Sequence, residues 1–404
     1  MNDTPSRGRV LSDMRVTGRL HLGHFHGVLK NWVALQEQYE SYYCVADWHA
    51  LTTHYEDPRV MESYVWEMVV DWLAAGVDPQ KATLFIQSRI PQHAELHLLL
   101  SMVTPLGWLE RVPSFKDQQQ KLKDRDLATY GFLGYPVLQS ADILVYRASQ
   151  VPVGEDQVPH IELTREIARR FNRIFGKDPV FEEKAERAVD KLGKSAARQF
   201  RRHRRAWLQE GDADARLASM SLAKAAQNLS DEERERLFGY ADGGGRSILP
   251  EPFALLTPAS KYPGVDGQKM SKSYDNQINM RDEPDRVVNL LRTMPTDPAR
   301  QRRTDPGDPD KCPVWDLHRI YTDDVARELL ADGCRTASIG CLDCKKPLIE
   351  AVLEEQESLR ERARPYENDP GELRRTIDAG CQRAMAVAEE TMKEVRQVVG
   401  TVYR

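Results

Sequence analysis

The first 160 residues alternate between short apolar stretches and longer amphipathic ones, and this alternation limits the folds open to the chain. Candidate strands lie at residues 9–16, 42–46, 83–87 and 143–147. Helical spacing of apolar residues covers 27–39 and 60–75. Strands that alternate with helices predict a parallel sheet covered by helices. We therefore predict an α/β fold with a Rossmann-like core, in which ligands bind at the carboxyl ends of the strands.

A motif with two histidines lies where the first candidate strand gives way to a helix pattern. It reads His21-Leu22-Gly23-His24. Gly18 and Gly23 would let the backbone approach a phosphate closely, and the start of a helix offers unpaired amides to an anion. The imidazoles could add neutral or cationic donors, whereas a cap or a surface position is the structural alternative. The spacing predicts a phosphate-binding turn.

A lysine-rich motif, Lys269-Met270-Ser271-Lys272-Ser273, follows much later in the chain. Gly264 and Gly267 precede it, and this composition favours a loop over a packed helix. A lysine is a compact charge on a long stem, so it can meet a triphosphate and stabilise the charge that moves to a leaving pyrophosphate. A solvated basic loop is the alternative. The motif predicts a second segment that contacts phosphate.

In this order, the two motifs resemble the ATP-handling motifs of class I aminoacyl-tRNA synthetases, which activate an amino acid as an adenylate and load it onto tRNA. The resemblance implies that the catalytic residues are His21, His24, Lys269 and Lys272. It implies ATP contacts at Arg15, Val16, Thr17, Gly18, Gly23, His24, Gly154, Glu155, Asp156, Lys269, Met270, Ser271, Lys272 and Ser273. Mg²⁺ would enter with the ATP.

A second resemblance concerns the amino-acid substrate. The stretches Gly134-Tyr135-Pro136, Ser140-Ala141-Asp142-Ile143-Leu144 and Val151-Pro152-Val153-Gly154-Glu155-Asp156-Gln157 resemble the bacterial, tryptophan-specific members of this family. That likeness implies that Asp142 accepts the indole N–H of tryptophan. It also implies a pocket lined by Tyr135, Gln139, Gln157 and His49.

Asp142 also has a physical argument of its own. An indole offers one N–H donor and no acceptor, so a buried carboxylate can recognise it and exclude phenylalanine, which would leave the carboxylate unpaired. Such discrimination can reach about 10⁴ to 10⁵. The alternative is a helix cap at Ser140-Ala141-Asp142, because aspartate is common at helix starts.

Some positions depart from the commoner bacterial pattern. Arg15 stands where many relatives carry glutamine beside the adenosine, and Gln139 stands at a pocket position that is often methionine. Gln118 replaces a second phosphate-seeking lysine, so Lys116 or Lys121 would have to serve in its place.

Four of the six cysteines cluster in the C-terminal half, as Cys312, Cys334, Cys341 and Cys344. In a reducing cytosol such a cluster indicates a metal site, and both Zn²⁺ and a 4Fe-4S cluster accept four thiolates. The resemblance favours the 4Fe-4S cluster, because a subset of the bacterial tryptophan-specific enzymes carries one on nearly this spacing. Zn²⁺ and buried free thiols are the alternatives. Cys44 and Cys381 are expected to serve packing.

The sequence predicts four segments. These are a catalytic core at 1–181, a charged helical insertion at 182–248, the remainder of the core with the lysine loop at 249–282, and a helical domain at 283–404 that by the resemblance reads the anticodon. With a formal net charge of −5, the chain would have to meet RNA phosphates through local basic patches. The basic run at 198–205 could be such a patch or a solvated helix face.

The resemblance implies a tryptophan–tRNA ligase whose substrates are L-tryptophan, ATP and tRNA(Trp), and by analogy a homodimer. The alternatives are a tyrosine-specific synthetase, a nucleotidylyltransferase with the same histidine motif, and a non-catalytic paralogue. The N-terminal residues 1–9 are polar, and no apolar stretch approaches the roughly 18 to 20 residues of a membrane span. We therefore expect a cytoplasmic protein without a membrane contact.

Overall fold

The structure is a computed structural model that describes residues 8–54, 58–112, 129–176, 180–243, 245–257 and 262–403. Its five strands are β1 (Arg9–Arg15), β2 (Glu40–Ala46), β3 (Ala82–Ile86), β4 (Gln150–Val153) and β5 (Phe253–Leu256). They form one sheet in the order β3-β2-β1-β4-β5. β2 pairs in parallel with β3 from Ser41↔Ala82 to Val45↔Ile86, and β1 pairs in parallel with β4 at Val10↔Gln150. The α/β prediction is confirmed.

The α-helices take up most of the remaining described chain. They are Leu22–His24, Lys30–Leu35, Asp47–His54, Met61–Ala75, Gln92–Ser101, Leu106–Leu109, Tyr130–Val145, Val158–Phe175, Phe181–Lys191, Lys194–Glu210, Ala213–Ala225, Asp231–Ala241, Pro284–Thr293, Pro313–Tyr321, Asp324–Arg335, Cys341–Asn368 and Pro370–Val399. Short 3-10 helices lie at Pro58–Val60, Gln87–Arg89, Glu155–Gln157, Lys272–Tyr274 and Pro309–Lys311, and a π-helical turn lies at Phe25–Leu29. Within the described ranges, no helix has the length and apolar character needed to cross a bilayer.

Two sequence predictions about these elements need correction. The strand predicted at 143–147 is wrong, because Ile143, Leu144 and Val145 are buried in the last turn of the helix Tyr130–Val145. A short run that is apolar on every side does not distinguish a buried strand from a buried helix. The helical pattern predicted at 27–39 begins earlier, at Leu22, and ends at Leu35.

The first compact unit consists of Asp13–Ile86 and Leu256–Gly380. Its core contains an aromatic group in which the rings of Trp32 and Tyr43 stack at 4.2 Å and Trp72 meets Trp32 edge-on at 5.0 Å. The Tyr43 hydroxyl donates to the Trp32 carbonyl over 2.7 Å, so the helix Lys30–Leu35 is tied to β2. Cys44, also on β2, is fully buried, as the packing role predicts.

The second compact unit consists of Gly8–Ser12, Gln87–Leu255 and Cys381–Arg404. Within it, the helix Tyr130–Val145 packs against Gln92–Ser101 and Val158–Phe175. Four helices between Phe181 and Ala241 bury a hydrophobic cluster of their own, whose largest members are Phe181, Phe200, Leu237 and Tyr240. These four helices therefore share a core of their own.

Candidate active site

The histidine motif lies at the turn between β1 and the helix that starts at Leu22, as predicted. Gly18 has a φ of +99°, a conformation that favours glycine, and a Cβ at this position would lie 3.6 Å from the Tyr64 ring. The turn is anchored by backbone hydrogen bonds from Leu22 N–H to the Ile278 carbonyl (2.9 Å) and from Met280 N–H to the Leu20 carbonyl (2.9 Å). The sequence that follows the lysine loop thus holds the histidine turn.

The two histidines of the motif lie ring against ring. Their centroids are 3.8 Å apart, and the His21 backbone N–H donates to Nδ1 of His24 over 3.3 Å. Burial, with the charges of Lys272 and Lys269, lowers the pKa of His21 to about 4. Burial and the neighbouring His21 hold the pKa of His24 well below its ordinary value as well. At neutral pH both imidazoles are therefore neutral donors and acceptors rather than cations.

Gly23 is required by the close approach of these rings. A Cβ at this position would lie 2.9 Å from Nδ1 of His21 and 3.6 Å from Cβ of Met270. The contact with Met270 also shows that the lysine motif packs directly on the histidine motif. Met270 itself is 4% exposed.

Lys272 reaches from the lysine loop to the turn after β1. Its Nζ donates to the Thr17 carbonyl (3.0 Å), the Gly18 carbonyl (2.9 Å) and the Thr17 hydroxyl (3.3 Å). Burial lowers the pKa of Lys272 to about 8, against the opposing effect of the Asp71 carboxylate. Lys272 therefore joins the lysine loop to the turn after β1.

The lysine loop is a turn-rich segment rather than a packed helix, as predicted. Met270 N–H donates to the Tyr262 carbonyl (3.0 Å), and Gly267 has a φ of +83°. The side chain of Asn276, 2% exposed, accepts from Ser271 N–H (2.7 Å) and donates to Asp266 (2.7 Å) and to the Lys269 carbonyl (3.2 Å). Asn276 fixes the shape of the loop.

A buried ion pair between Asp71 and Arg281 stabilises the turn after β1. Asp71 accepts from Leu20 N–H over 3.0 Å and from Nε of Arg281 over 2.7 Å. Burial raises the pKa of Asp71, while the Arg281 guanidinium opposes that shift. The charge-assisted bonds orient the segment that carries His21.

In the second unit, Asp142 is the centre of a buried polar network. Gln87 donates through Nε2 to both carboxylate oxygens, at 2.9 and 2.8 Å. Nδ1 of His93 lies 2.6 Å from Oδ1 of Asp142, and Nε2 of His93 lies 2.7 Å from the Tyr146 hydroxyl. All four side chains are 0% exposed. The network holds the Asp142 carboxylate in one orientation.

The helix-cap alternative for Asp142 is wrong. Asp142 lies in the last turn but one of the helix Tyr130–Val145, whose N-cap is Thr129. Tyr135, Gln139 and Asp142 follow one another at helical spacing and so lie on one face. The Tyr135 hydroxyl is 3.4 Å from Nε2 of His160, a residue that the sequence had not singled out for this role.

The remaining predicted site residues follow strands, as expected for this sheet. Gly154 directly follows β4 and begins the 3-10 helix Glu155–Gln157, in which Gln157 donates to the Asp156 carboxylate over 2.9 Å.

In the first unit, His49 lies in the helix that follows β2 and is 4% exposed. Arg15 ends β1 and donates to the Thr53 hydroxyl over 2.6 Å. Val16, next to it, is buried, and Ser273 lies in the 3-10 helix Lys272–Tyr274.

The four clustered cysteines come from helix ends in the first unit. Cys312 precedes the helix Pro313–Tyr321, Cys334 lies near the end of Asp324–Arg335, and Cys341 and Cys344 lie in the first turn of Cys341–Asn368. Burial, with the charges of the other three cysteines, raises the pKa of the Cys344 thiol to about 12. The fold therefore brings all four thiols into one electrostatic neighbourhood.

The sulfur of Cys334 packs closely against the backbone of Gly307. A Cβ on Gly307 would lie 2.6 Å from Sγ of Cys334, so only a glycine fits beside this sulfur. Among the described residues, no three of the four sulfur atoms lie mutually within 4.8 Å. Four thiolates bound to one Zn²⁺ at 2.3 Å would be about 3.8 Å apart. The four thiols, as they lie in the described residues, are therefore spaced more widely than the ligands of a tetrahedral zinc site.

Comparisons with known proteins agree with this geometry. The family described as "tRNA synthetases class I (W and Y)" matches residues 5–198 and 222–355. The chain belongs to this family. This synthetase is 61% identical to a tryptophan–tRNA ligase of Ralstonia nicotianae, over 98% of this chain and 99% of that protein. It is 41% identical to the tryptophan–tRNA ligase of Thermotoga maritima, over 98% and 100% of the two chains.

The fold of this synthetase is also similar to a solved structure. That structure is the tryptophanyl-tRNA synthetase of Campylobacter jejuni complexed with ADP and tryptophan, with a TM-score of 0.73 at 25% identity. The match covers 97% of this chain and 99% of that one. The likeness runs over the whole synthetase and is not confined to a shared nucleotide-binding core.

Sequence reasoning missed several residues that organise the synthetase's site. Gln87 could have been found, because it directly follows the buried strand β3, where ligands gather in a parallel sheet. His93, Asp71, Arg281 and Asn276 carry no local signal, because each acts through a partner distant in sequence. Lys116, Gln118 and Lys121, considered for phosphate binding, lie outside the described residues.

Proposed function

We propose that this synthetase activates L-tryptophan with ATP and transfers it to tRNA(Trp). The observation that carries the proposal is the contact of Lys272 with the turn after β1, beside the adjacent rings of His21 and His24. Amides, neutral imidazoles and mobile lysine charges converge there, and this set of groups suits a triphosphate. Mg²⁺ would arrive as part of the ATP complex.

In the first step, the tryptophan carboxylate attacks the α-phosphorus of ATP in line. A carboxylate oxygen–phosphorus bond forms, the bond between the α-phosphorus and the bridging oxygen breaks, and pyrophosphate leaves with that electron pair. Lys269 and Lys272 stabilise the charge that moves onto pyrophosphate, while Gly18, Gly23, His21 and His24 hold the nucleotide. The protein contributes position and charge and needs no side-chain nucleophile.

In the second step, a ribose hydroxyl of the terminal adenosine of tRNA attacks the carbonyl carbon of tryptophanyl adenylate. The ester bond forms, the bond from that carbon to the phosphate oxygen breaks, and AMP leaves. We further propose that the helical segment 283–404 reads the anticodon, where unstacked bases present their edges. We also propose that the synthetase is a homodimer and that it lies in the cytoplasm.

Selection of tryptophan rests in this proposal on Asp142. Gln87 and His93 hold its carboxylate in one orientation, so that it can accept a single N–H donor at a defined position. Tyr135, Gln139, Gln157 and His49 would line the pocket. A substrate without an N–H donor would not form this additional hydrogen bond to the buried carboxylate, and the lost bond costs free energy.

The test is tryptophan-dependent exchange of pyrophosphate into ATP, measured with each of the twenty amino acids and without tRNA. We expect exchange with tryptophan alone, followed by charging of tRNA(Trp) when tRNA is added. Exchange with tyrosine alone would assign the chain to the tyrosine-specific members. Exchange with no amino acid would overturn the proposal.

The role of Asp142 has its own variant. Asp142→Ala should raise the KM for tryptophan by about a hundredfold and leave the KM for ATP within about twofold. Ser140→Ala is the matched control, because Ser140 is buried on the same helix but bonds to the Pro136 carbonyl and to Thr164. Equal effects of the two variants on tryptophan would show that Asp142 serves only packing.

We also propose that Cys312, Cys334, Cys341 and Cys344 hold a 4Fe-4S cluster. The support is the donor set of four thiols, which the fold brings into one electrostatic neighbourhood, and the spread of their sulfur atoms, which is wider than in a zinc site. Such a cluster, when bound, would cross-link three helix ends. Its role is then to brace the helical segment.

Metal analysis after anaerobic purification tests this second proposal. About four iron and four sulfide per chain are expected, together with broad visible absorbance. Cys341→Ser should lose the iron, whereas Cys381→Ser, on a buried packing cysteine, should keep it. One zinc per chain without iron would overturn the cluster.

A further inference from the structure

The helix Lys194–Glu210 in the charged insertion has an unusual charge composition. Between Lys194 and Gln209 it contains five arginines and a lysine but no acidic residue. The preceding helix of the same insertion, Phe181–Lys191, mixes four acids with three cations, as solvated helix faces usually do. Because the chain as a whole has a net charge of −5, this concentration of positive charge on one helix indicates a local role for its arginines.

Two of the five arginines are used inside the insertion. Arg201 bonds to Glu186 (2.6 Å) and Asp190 (2.7 Å) of the preceding helix. Arg204 donates to the Tyr240 carbonyl (2.7 Å) and lies 3.8 Å from the centre of the Tyr240 ring. These two guanidinium groups stabilise the helical cluster.

The other three arginines form what we call the arginine ridge: Arg198, Arg202 and Arg205. They follow one another at intervals of four and three residues, so they lie on one face of the helix. All three are exposed, and within the described chain none makes an ion pair or a hydrogen bond to another side chain. Phe200 and Ala197, which are buried, lie on the opposite side.

Two of the three ridge arginines lie outside the family match. The family match stops at residue 198 and resumes at 222, so Arg202 and Arg205 fall in the unmatched part. Activation of the amino acid uses the two motifs and the Asp142 network, all of which lie inside the matched part. A role for the ridge must therefore lie outside the shared chemistry.

We propose that the arginine ridge binds phosphates of the tRNA backbone. Three unpaired guanidinium groups on successive turns can each contact a phosphate and release its condensed counterions. Apart from Leu208, the exposed residues of the helix are polar or charged, so the helix lacks the continuous apolar face that an interfacial membrane helix needs. This inference rests on the proposed function for the identity of the RNA.

Direct binding of a tRNA(Trp) transcript to the full chain, measured at several salt concentrations, tests the ridge. The variant Arg198→Gln/Arg202→Gln/Arg205→Gln should bind tRNA about tenfold to a hundredfold more weakly at 0.1 M salt. Its slope of log affinity against log salt should be smaller by about 2 to 3. The KM for tRNA should rise in parallel.

Two matched variants accompany this test. Lys184→Gln/Arg187→Gln/Lys191→Gln makes the same charge change on the neighbouring helix, where Arg187 and Lys191 pair with Glu183 and Glu233, and should keep most of the affinity. Replacing the three ridge arginines by lysine should restore most of the binding. Equal losses from the two glutamine triples would overturn the ridge.

Tryptophan-dependent pyrophosphate exchange separates this inference from the proposed function. The step needs no tRNA, so the ridge variant should exchange at the wild-type rate, which also verifies that it folds. An unchanged affinity for tRNA in the ridge variant would overturn the ridge and leave the proposed function intact. Ridge-dependent binding of phosphatidylserine vesicles without any effect on tRNA would assign the ridge to membranes and also overturn it.

Discussion

The side chain of Lys272 lies in a partly buried environment that disfavours its positive charge. Its Nζ is surrounded by backbone carbonyls of the turn after β1, and burial lowers its pKa to about 8. The carbonyls hold the amine where a phosphate would replace them as its partner. An ordinary surface lysine pays no such desolvation cost. We infer that binding of ATP offsets the desolvation cost of Lys272, because phosphate oxygens would supply negative charge beside its ammonium group.

Replacing Lys272 should separate activity from stability. Lys272→Met should lower the rate of tryptophan activation about a hundredfold or more, which corresponds to about 2.7 to 4 kcal/mol of lost stabilisation. The unliganded protein should become more stable, because the partly buried charge is gone. Pyrophosphate exchange and thermal unfolding measure the two effects. Lys81→Met, at an exposed lysine paired with Glu37, should leave exchange unchanged; a loss of stability in Lys272→Met would contradict this account.

His21 and His24 predict a pH dependence of stability. In the unfolded chain these imidazoles bind protons near the ordinary pKa of 6.5, whereas in the folded chain His21 does so only at about 4 and His24 also well below 6.5. The unfolded state therefore binds more protons in this interval, and the free energy of unfolding should fall as pH decreases from about 6.5 to 4. Proton NMR titration of the unliganded protein measures both pKa values. A midpoint near 6.5 for both rings would contradict the burial.

Several elements meet at His26, two residues beyond the histidine motif. The π-helical turn Phe25–Leu29 carries His26, whose Nε2 lies 2.9 Å from Glu355 and 3.1 Å from the Tyr321 hydroxyl. The Tyr321 hydroxyl donates to Glu355 over 2.7 Å and lies 2.8 Å from the Tyr262 hydroxyl. π-helical turns are frequent at functional sites. Through Glu355, the motif helix is joined to the long helix Cys341–Asn368 and to the start of the lysine loop.

Glu355 should therefore matter more than its neighbours on the same helix. Burial by itself would raise the pKa of Glu355, but hydrogen bonds from His26 and Tyr321 and the charge of Lys30 lower it to about 2. Its contribution to stability is present above the ordinary pKa of 4.5 and is lost as pH falls toward 2. Glu355→Gln should reduce the free energy of unfolding at pH 7 by about 1.5 to 3 kcal/mol.

The matched control for this change is Glu354→Gln. Glu354 is exposed on the same helix, so its substitution should alter the free energy of unfolding by less than about 0.5 kcal/mol. Urea denaturation of both variants at pH 7 and pH 4 is the measurement. Equal effects of the two substitutions would show that the link at His26 contributes little.

Over the whole chain, the synthetase combines the matched family core with an insertion that carries its own hydrophobic cluster. Phe200 is fully buried in that cluster, stacked at 6.4 Å on Tyr240. The family match omits residues 199–221, which include Phe200 and most of its helix. Unfolding of the insertion alone should therefore not abolish amino-acid activation.

Phe200→Ala tests this division. The cavity should destabilise the four helices between Phe181 and Ala241 by about 3 to 5 kcal/mol. Hydrogen exchange should show lost protection in those helices, while the helix Tyr130–Val145 keeps its protection and tryptophan-dependent exchange continues. Leu208→Ala, at a half-exposed leucine of the same helix, is the control. Loss of protection throughout the chain would show that the insertion and the core unfold together.

Local sequence was sufficient to identify the histidine and lysine motifs, the alternation of strands and helices, and the four clustered cysteines, because each of these depends on neighbouring residues or on a fixed spacing. It was insufficient at 143–147, where an apolar run suits a helix and a strand equally. Only the tertiary structure joined Gln87 to Asp142 across 55 residues and Lys272 to Thr17 across 255. Such contacts depend on how distant segments pack against each other, and the local spacing of residues does not determine that packing. The same holds for charge: the sequence showed a basic run, and packing divided it into arginines that stabilise the insertion and arginines left exposed.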